Sequence, residues 1–328
     1  MEKKNIMITG GAGYVGSALV PDLLSQGHNV CVLDLCIYGD DVLDSHPNLK
    51  IIKGDIRDIR AVKNAVEGCD TVIHLACISN DPSFELNPTL GRSINLDAFQ
   101  PLVEASRAAG VDRFVYASSS SVYGIKDELD VHEGMSLEPL TDYSKFKAEC
   151  ETILAKYQSE SFTTVTIRPA TVCGFARRQR LDVVVNILSN LAFHNRKIKI
   201  FGGAQLRPNI NIKDMVGAYN CLLSAEKELV AGKVFNAGFE NHSVEKLGEI
   251  VVGVVGEDVA VERVTTDDNR SYHVSSKKIA QELGFVPSYD IEDAVKGLVD
   301  AFEQGRLSNP MDNPMYVNIK RMQEIDLQ

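Results

Sequence analysis

Apolar runs of three to five residues alternate with stretches of helical spacing through the first half of the chain. Ile6 to Ile8 reads as a strand and Val15 to Leu24 as its helix. Val30 to Leu33 is a second strand, ending at Asp34, and Leu49 to Ile52 a third, followed by a helix to Val66. Thr71 to Leu75 is a fourth strand, with a polar loop from Ile78 to Pro88 behind it. Ile94 to Ala109 reads as one long helix and Arg113 to Ala117 as a fifth strand. Strand–helix alternation of this kind predicts an α/β fold: a doubly wound parallel sheet with right-handed crossovers and helices on both faces. Ligands then sit beyond the carboxyl ends of the strands. The later chain is less regular. Phe162 to Ile167 is a strand, and Asp182–Phe193, Val216–Leu223, Val244–Val255, Ile279–Leu283 and Ile291–Gln304 read as helices. The pattern predicts two domains: residues 1–171 carrying the sheet, and residues 172–328 forming a smaller mixed α/β lobe. Some segments of that lobe are expected to return to the sheet.

The first strand runs into a glycine-rich turn, where Gly11, Gly13 and Gly16 satisfy G-x-G-x-x-G and a helix follows. A tight turn needs glycine, the backbone must approach a pyrophosphate, and a helix N-terminus favours an anion. In this context the turn, Gly10 to Gly16 with Tyr14 and Val15 inside it, marks dinucleotide binding by a Rossmann-type domain. Asp34 lies close to the spacing of about 20 residues at which an acid takes the adenosine ribose 2′-hydroxyl. A carboxylate there repels a 2′-phosphate, and no arginine follows directly, so the expected cofactor is NAD. The plainer alternative is a strand-end aspartate capping a turn. Asp55 and Ile56 occupy the next strand end and are placed near the adenine by analogy.

Composition narrows the class. A hydrophobic fraction of 44% over 328 residues is enough for a large core, and the formal net charge of -11 argues against nucleic acid or an anionic membrane as partner. An anionic ligand must therefore find a local basic pocket. The seven cysteines are scattered without a C-x-x-C, which reads as free thiols in a reducing cytoplasm. No metal-binding spacing, signal peptide or membrane-spanning run is evident.

Two stretches carry candidate chemistry: Ser118-Ser119-Ser120-Ser121-Val122-Tyr123-Gly124 after the fifth strand, and Tyr143-Ser144-Lys145-Phe146-Lys147 at the start of a helix that Thr141 or Asp142 can cap. Tyr143 and Lys147 are four apart and share a helix face. A phenol is a poor base at neutral pH. Bringing its pKa from about 10 to about 7 needs roughly 4 kcal/mol of preferential phenolate stabilisation. Lys147 and the positive ring of an oxidised nicotinamide are charges able to supply it. A serine hydroxyl would hold and polarise the substrate oxygen.

With these motifs, the chain resembles an extended short-chain dehydrogenase/reductase of the nucleotide-sugar epimerase and dehydratase branch. The carrying residues are GGAGYVG, His74-Leu75-Ala76, SSSSVYG, YSKFK and Arg168-Pro169-Ala170-Thr171-Val172, extended by Leu206-Arg207-Pro208 and Lys213-Asp214. The resemblance implies NAD along the sheet, held by Gly10, Gly13, Tyr14, Val15, Gly16, Asp34, Asp55, Ile56, Leu75, Ala76, Ser118, Tyr143, Lys147 and Pro169. It implies a nucleotide-diphosphate sugar, linked to UDP, TDP or GDP, in the second lobe. Ser119, Tyr143 and Lys147 match the catalytic set, and a neighbouring serine is one place away from the first. Asn95 matches a family asparagine beneath the site, with a helix cap as the alternative. His74 is read as a packed strand-end residue. Two helices, Ile94 to Ala109 and Tyr143 to Tyr157, are those the family pairs in a homodimer.

One departure is informative. Family dehydratases carry Thr-Asp-Glu before the valine of VYG, and the two acids work in water loss. This chain has Ser119-Ser120-Ser121. What remains is hydride transfer at one ring carbon, usually carbon 4. The expected function is an NAD-dependent epimerase in surface polysaccharide or activated-sugar biosynthesis. The alternatives are a 4-dehydrogenase or 4-ketoreductase using the same residues, and a non-catalytic NAD-sensing protein.

Arg177, Arg178 and Arg180 precede the helix expected at Asp182. Positive side chains are unfavourable at a helix N-terminus unless an anion is bound there. The substrate side is therefore assigned to Arg178, Arg180, Arg207 and Arg270 against the diphosphate, with Ser79, Ser119 and Ser120 near the sugar. A solvated basic loop is the alternative for the first three arginines. In the family an arginine at the position of Arg207 meets the diphosphate.

Overall fold

The computed structural model describes residues 2–126, 128, 130–266, 271 and 273–327. Twelve strands occur among them: β1 (Asn5–Thr9), β2 (Asn29–Asp34), β3 (Leu49–Lys53), β4 (Thr71–His74), β5 (Arg113–Ala117), β6 (Thr163–Pro169), β7 (Thr171–Cys173), β8 (Lys197–Phe201), β9 (Leu206–Asn211), β10 (Lys233–Ala237), β11 (Glu240–Ser243) and β12 (Ala260–Val264). Seven form the large sheet in the order β10-β6-β5-β4-β1-β2-β3, every neighbouring pair parallel. The chain leaves β1 toward β2 on one side and reaches β4 on the other. Crossovers therefore lie on opposite faces, and a crevice opens at the carboxyl end of β1.

Both faces of this sheet are covered, so its central strands β1, β4 and β5 are buried along nearly their whole length, whereas the edge strand β3 mixes lysine with apolar residues and is largely exposed. Ile6 and Ile8 of β1 enter one core and Met7 enters the other. The first core holds the Gly16–Ser25 and Ile212–Ser224 helices; the second holds Ile59–Val66, Phe99–Ala108 and Asp142–Ala155. β10 returns to the edge of this sheet from late in the chain. Two small sheets, β11-β9-β7 and β12-β8, lie outside it. A separate apolar core joins β8 to the Val184–Asn195, Val244–Val255 and Ile291–Glu303 helices.

Several expected elements differ in detail. The Ile94–Ala109 helix is not continuous: a π-type turn at Ser93–Asp97 precedes an α-helix at Phe99–Ala108. The wider turn carries Asn95 inward. Its side chain accepts from the Ile78 N–H (2.8 Å) and donates to the Ile78 carbonyl (2.9 Å), while its carbonyl takes the Cys150 thiol (3.2 Å). Asn95 thus pins the loop after β4 and caps no helix. The polar stretch 78–88 contains a short helix, Asp81–Leu86, capped by Asn80. All seven cysteines are thiols. No helix among the described residues is long and apolar enough to cross a membrane.

His74 closes β4 in the second core, 3% exposed, with its Nδ1 2.6 Å from the Thr9 hydroxyl. Burial, helped by the Lys147 charge, pushes its pKa from 6.5 down to about 3. The unfolded chain binds this proton below about pH 6.5, whereas the folded chain does so only near pH 3. Stability must then fall as pH drops through that window. His74→Gln keeps a polar partner for Thr9 and removes the titration. In urea unfolding across the window it should lose less stability than the wild type, by about 2 kcal/mol or more. Equal losses would contradict this account.

Candidate active site

The crevice at the carboxyl ends of the strands holds a cavity of about 380 Å³. The glycine turn forms its floor. Gly10 has φ +74°, and a Cβ there would stand 2.6 Å from the Ala76 nitrogen; at Gly16 a Cβ would strike the Gly11 carbonyl oxygen. The Gly16–Ser25 helix starts without a side-chain cap, where Gly13, Tyr14, Val15 and Gly16 line the cavity. This is the arrangement that receives phosphate oxygens. Tyr14 donates its hydroxyl to the Gly174 carbonyl (2.6 Å), tying the turn to the segment that carries the arginines.

Asp34 lies at one end of the cavity. Its Oδ2 accepts the Ala12 N–H (2.9 Å) and its Oδ1 the Cys36 N–H (2.8 Å). Burial raises its pKa, and these two bonds and the Arg178 charge oppose the rise. Asp55, beside it, is paired with Arg57 at 2.6 Å.

At the other end stand the serine, tyrosine and lysine. Thr141 caps the Asp142–Ala155 helix in a reciprocal box with Ser144. Tyr143, Lys147 and Glu151 follow one another at intervals of four, on one stripe of that helix. Lys147 is buried and donates to the Ala117 carbonyl at 2.7 Å; its ammonium lies 5.9 Å from the Tyr143 ring centre. Ser119 starts a short 3₁₀ turn, with its hydroxyl 2.8 Å from that of Ser121. Ser118 spends its hydroxyl on Glu151, which also pairs with Arg168 at 2.6 Å. The accessible part of Tyr143 faces the cavity, where it is a lining residue. Burial pushes its pKa up; Cys77 and Asp81 add to the rise, while Arg180 and a hydrogen bond with Ser119 oppose it.

Every residue assigned to the cofactor from the sequence lines this cavity, as do Ser79, Ser119, Ser120, Arg178 and Arg180. The neighbouring arginines divide. Arg178 is buried, its guanidinium 3.5 Å above the Tyr38 ring, and Arg180 pairs with Asp182 at 2.6 Å. Arg177 is exposed, pairs with Asp44 and lies outside the cavity. Arg207 also lies outside it: on β9, it donates to the Leu206 carbonyl at 3.0 Å. Arg270 falls outside the described residues. Sequence reading missed Tyr38, Asp182, Asn318, Met322 and Leu327. Tyr38 follows the second strand end by four residues and carried a local signal; the residues from 318 onward carried none.

One observation tests whether the cavity suits NAD. The Nε of the buried Arg178 has no hydrogen-bond partner in the protein. An orphaned cationic donor beside an uncapped helix start and a strand-end aspartate fits a ligand with a pyrophosphate and a ribose.

A fold and cavity of this kind define a dinucleotide-dependent enzyme of the Rossmann class. Residues 6–238 match the model of the NAD dependent epimerase/dehydratase family, and the chain belongs to that family. It is 27% identical to a UDP-glucose 4-epimerase of Corynebacterium glutamicum over 88% of this chain and 94% of that protein. It is 26% identical to a dTDP-glucose 4,6-dehydratase of Streptomyces griseus over 92% and 95%. Among solved structures, MoeE5 in complex with UDP-glucose and NAD superposes with a TM-score of 0.80 at 25% identity, covering 92% of this chain and 99% of that one. The protein is therefore an NAD-dependent enzyme.

Asp34 generates a direct prediction. Its carboxylate should disfavour a cofactor bearing a 2′-phosphate. Asp34→Asn should narrow the preference for NAD over its 2′-phosphorylated form by about tenfold or more in fluorescence titrations. An unchanged ratio would remove Asp34 from the ribose site.

Proposed function

We propose that the protein is a nucleotide-diphosphate-sugar epimerase that inverts a ring carbon, carbon 4 in the first instance. The observation that carries this reading is the convergence of Ser119, Tyr143 and Lys147 on one cavity with the glycine turn and Asp34, while Ser119-Ser120-Ser121 supplies no acid. The likeness to a UDP-glucose 4-epimerase supports a hexose on a nucleoside diphosphate.

The residues divide the work. Tyr143 takes the proton of the sugar hydroxyl at its phenolic oxygen, and the Ser119 hydroxyl holds the same sugar oxygen. Lys147, fixed on the Ala117 carbonyl, adds positive charge on the same helix face. When bound, NAD supplies the hydride acceptor, which stores the hydride and returns it, and a positive ring while oxidised. After the keto sugar turns over in the cavity, Tyr143 gives the proton back to the oxygen it took it from. Water loss needs an additional acid–base pair. Three aspartates line the cavity. Asp34 and Asp55 stand at the adenosine end, and Asp81 takes the Thr141 hydroxyl at 2.6 Å.

The test is a screen of UDP-, TDP- and GDP-sugars with purified protein, following products by NMR and cofactor by absorbance. Epimerisation should interconvert two sugars with no lasting change in the cofactor band. A stoichiometric change in that band with a keto or reduced sugar as product would replace epimerase by dehydrogenase or ketoreductase. Tyr143→Phe should lower kcat by about 10²–10⁴-fold and leave UDP affinity unchanged. Activity that persists would sink the catalytic assignment and leave an NAD-binding protein without this chemistry.

A further inference from the structure

Arg178 and the carboxyl-terminal segment form a feature that neither the motifs nor the proposed chemistry uses. Arg178 is 4% exposed, and its Nε has no partner in the protein. No carboxylate among the described residues lies within ion-pair distance of it. The other arginine that lines the cleft is matched: Arg180 pairs with Asp182. A buried cation without an anion is strongly unfavourable, so the site is built for an anionic ligand. Two anions are on offer, the pyrophosphate of the dinucleotide and the diphosphate of the sugar nucleotide.

Placement decides between them. The Arg178 backbone N–H donates to the Ser17 hydroxyl at 3.1 Å, and Ser17 is the second residue of the helix that opens at the glycine turn. The guanidinium stacks on Tyr38, four residues beyond Asp34. Arg178 thus spans the ground between the phosphate-receiving turn and the ribose-binding aspartate. Arg180, two residues on, instead carries its charge toward Tyr143.

Asn318 sets the geometry of this arginine. Its Oδ1 accepts from the Arg178 guanidinium and from the Tyr38 hydroxyl (2.9 Å). Its Nδ2 donates to the Ser79 hydroxyl (2.9 Å), and its backbone N–H to Asp182 (3.0 Å). Three residues later, Arg321 donates to the Ile37 carbonyl at 2.5 Å. Met322 and Leu327 complete the wall of the cavity. The carboxyl-terminal segment therefore bridges the ends of β2 and β4 across the crevice.

We propose that Arg178 is the cation that meets the pyrophosphate of the bound dinucleotide, and that Asn318 is the residue that positions it. The assignment moves Arg178 from the sugar side of the cleft to the cofactor side. It rests on the NAD dependence of the family and is independent of the epimerase reading, whose failure would leave the binding constants below untouched.

The experiment uses the full chain freed of nucleotide and titrated with NAD, ADP-ribose and UDP in a calorimeter. Arg178→Gln should weaken NAD and ADP-ribose by about tenfold or more, the range of a lost charge-assisted contact, with UDP held within about twofold. Arg178→Lys should recover part of the loss. Asn318→Ala, a milder change, should weaken the same two ligands by a smaller factor. Combined with Arg178→Gln it should add little, because both act through one contact. Weakened UDP with unchanged NAD would return Arg178 to the sugar nucleotide. Equal weakening of all three ligands would show a packing role only, and no change in any would overturn the proposal outright.

Discussion

The close approach of β1 and β4 at their carboxyl ends is the constraint on which the site depends. Gly10 sits against the backbone of Ala76 with no room for a Cβ, in a left-handed conformation that glycine alone adopts without strain. Just before it, the Thr9 hydroxyl meets His74 Nδ1 at 2.6 Å and accepts the Ala76 N–H at 3.3 Å. This contact joins the two segments that the ligand must bridge. One is the glycine turn; the other is the loop from Leu75 to the strained Asn80 (φ 74°). A side chain at position 10 would separate β1 from β4 and displace both walls together. The sheet order reverses at this strand, so the same point is where the crevice exists at all.

Behind the cavity a buried polar chain holds the Asp142–Ala155 helix to three strands. Glu151 accepts from Ser118 and pairs with Arg168; Arg168 donates to the Tyr123 hydroxyl (2.8 Å), which donates to Asn236 (2.8 Å). These residues come from the helix, the end of β5, the short turn after it, β6 and β10. A buried ion pair of this kind adds little net stability, because desolvation offsets the attraction. Its consequence here is register. Glu151 stands one turn beyond Lys147, so fixing the carboxylate also fixes the lysine on the Ala117 carbonyl. Register then places Tyr143 a further turn back, at the cavity wall.

What the sequence made legible is what local geometry determines. The glycine turn, Asp34 at a strand end and the four-residue spacing of Tyr143 and Lys147 each depend on a single turn or strand end. Features set by distant partners were not legible. The π-type turn at Ser93–Asp97 lets Asn95 bond Ile78, across the crevice loop, and helical periodicity cannot show that. The three arginines look alike in sequence, yet the segment bends at Arg177–Arg178 and sends neighbouring side chains in different directions. Arg177 therefore reaches Asp44 while Arg178 turns into the cavity. Strand β8 did carry a signal, with Lys197 and Lys199 exposed and Ile198 and Ile200 buried, but its partner β12 lies far along the chain. The contact of Asn318 with Tyr38 joins residues 280 apart and leaves no local trace.

The charge balance around Tyr143 bears on how the proposed base would be controlled. Burial dominates and keeps the phenol protonated, with Cys77 and Asp81 acting in the same direction. The protein opposes this with Arg180 and Ser119, and Arg180 is itself neutralised by Asp182. Lys147 stands on the same stripe but gives its hydrogen bond to Ala117. The fixed charges alone thus leave the tyrosine a poor base. Proton abstraction then requires a further positive charge within the cavity, and the oxidised nicotinamide is the group of the family's cofactor that carries one. A tyrosine tuned in this way would give up its own proton, and so become able to take the substrate's, when the positive ring is present, and would hold its proton more tightly otherwise. On the proposed reading, proton and hydride transfer would be coupled through electrostatics.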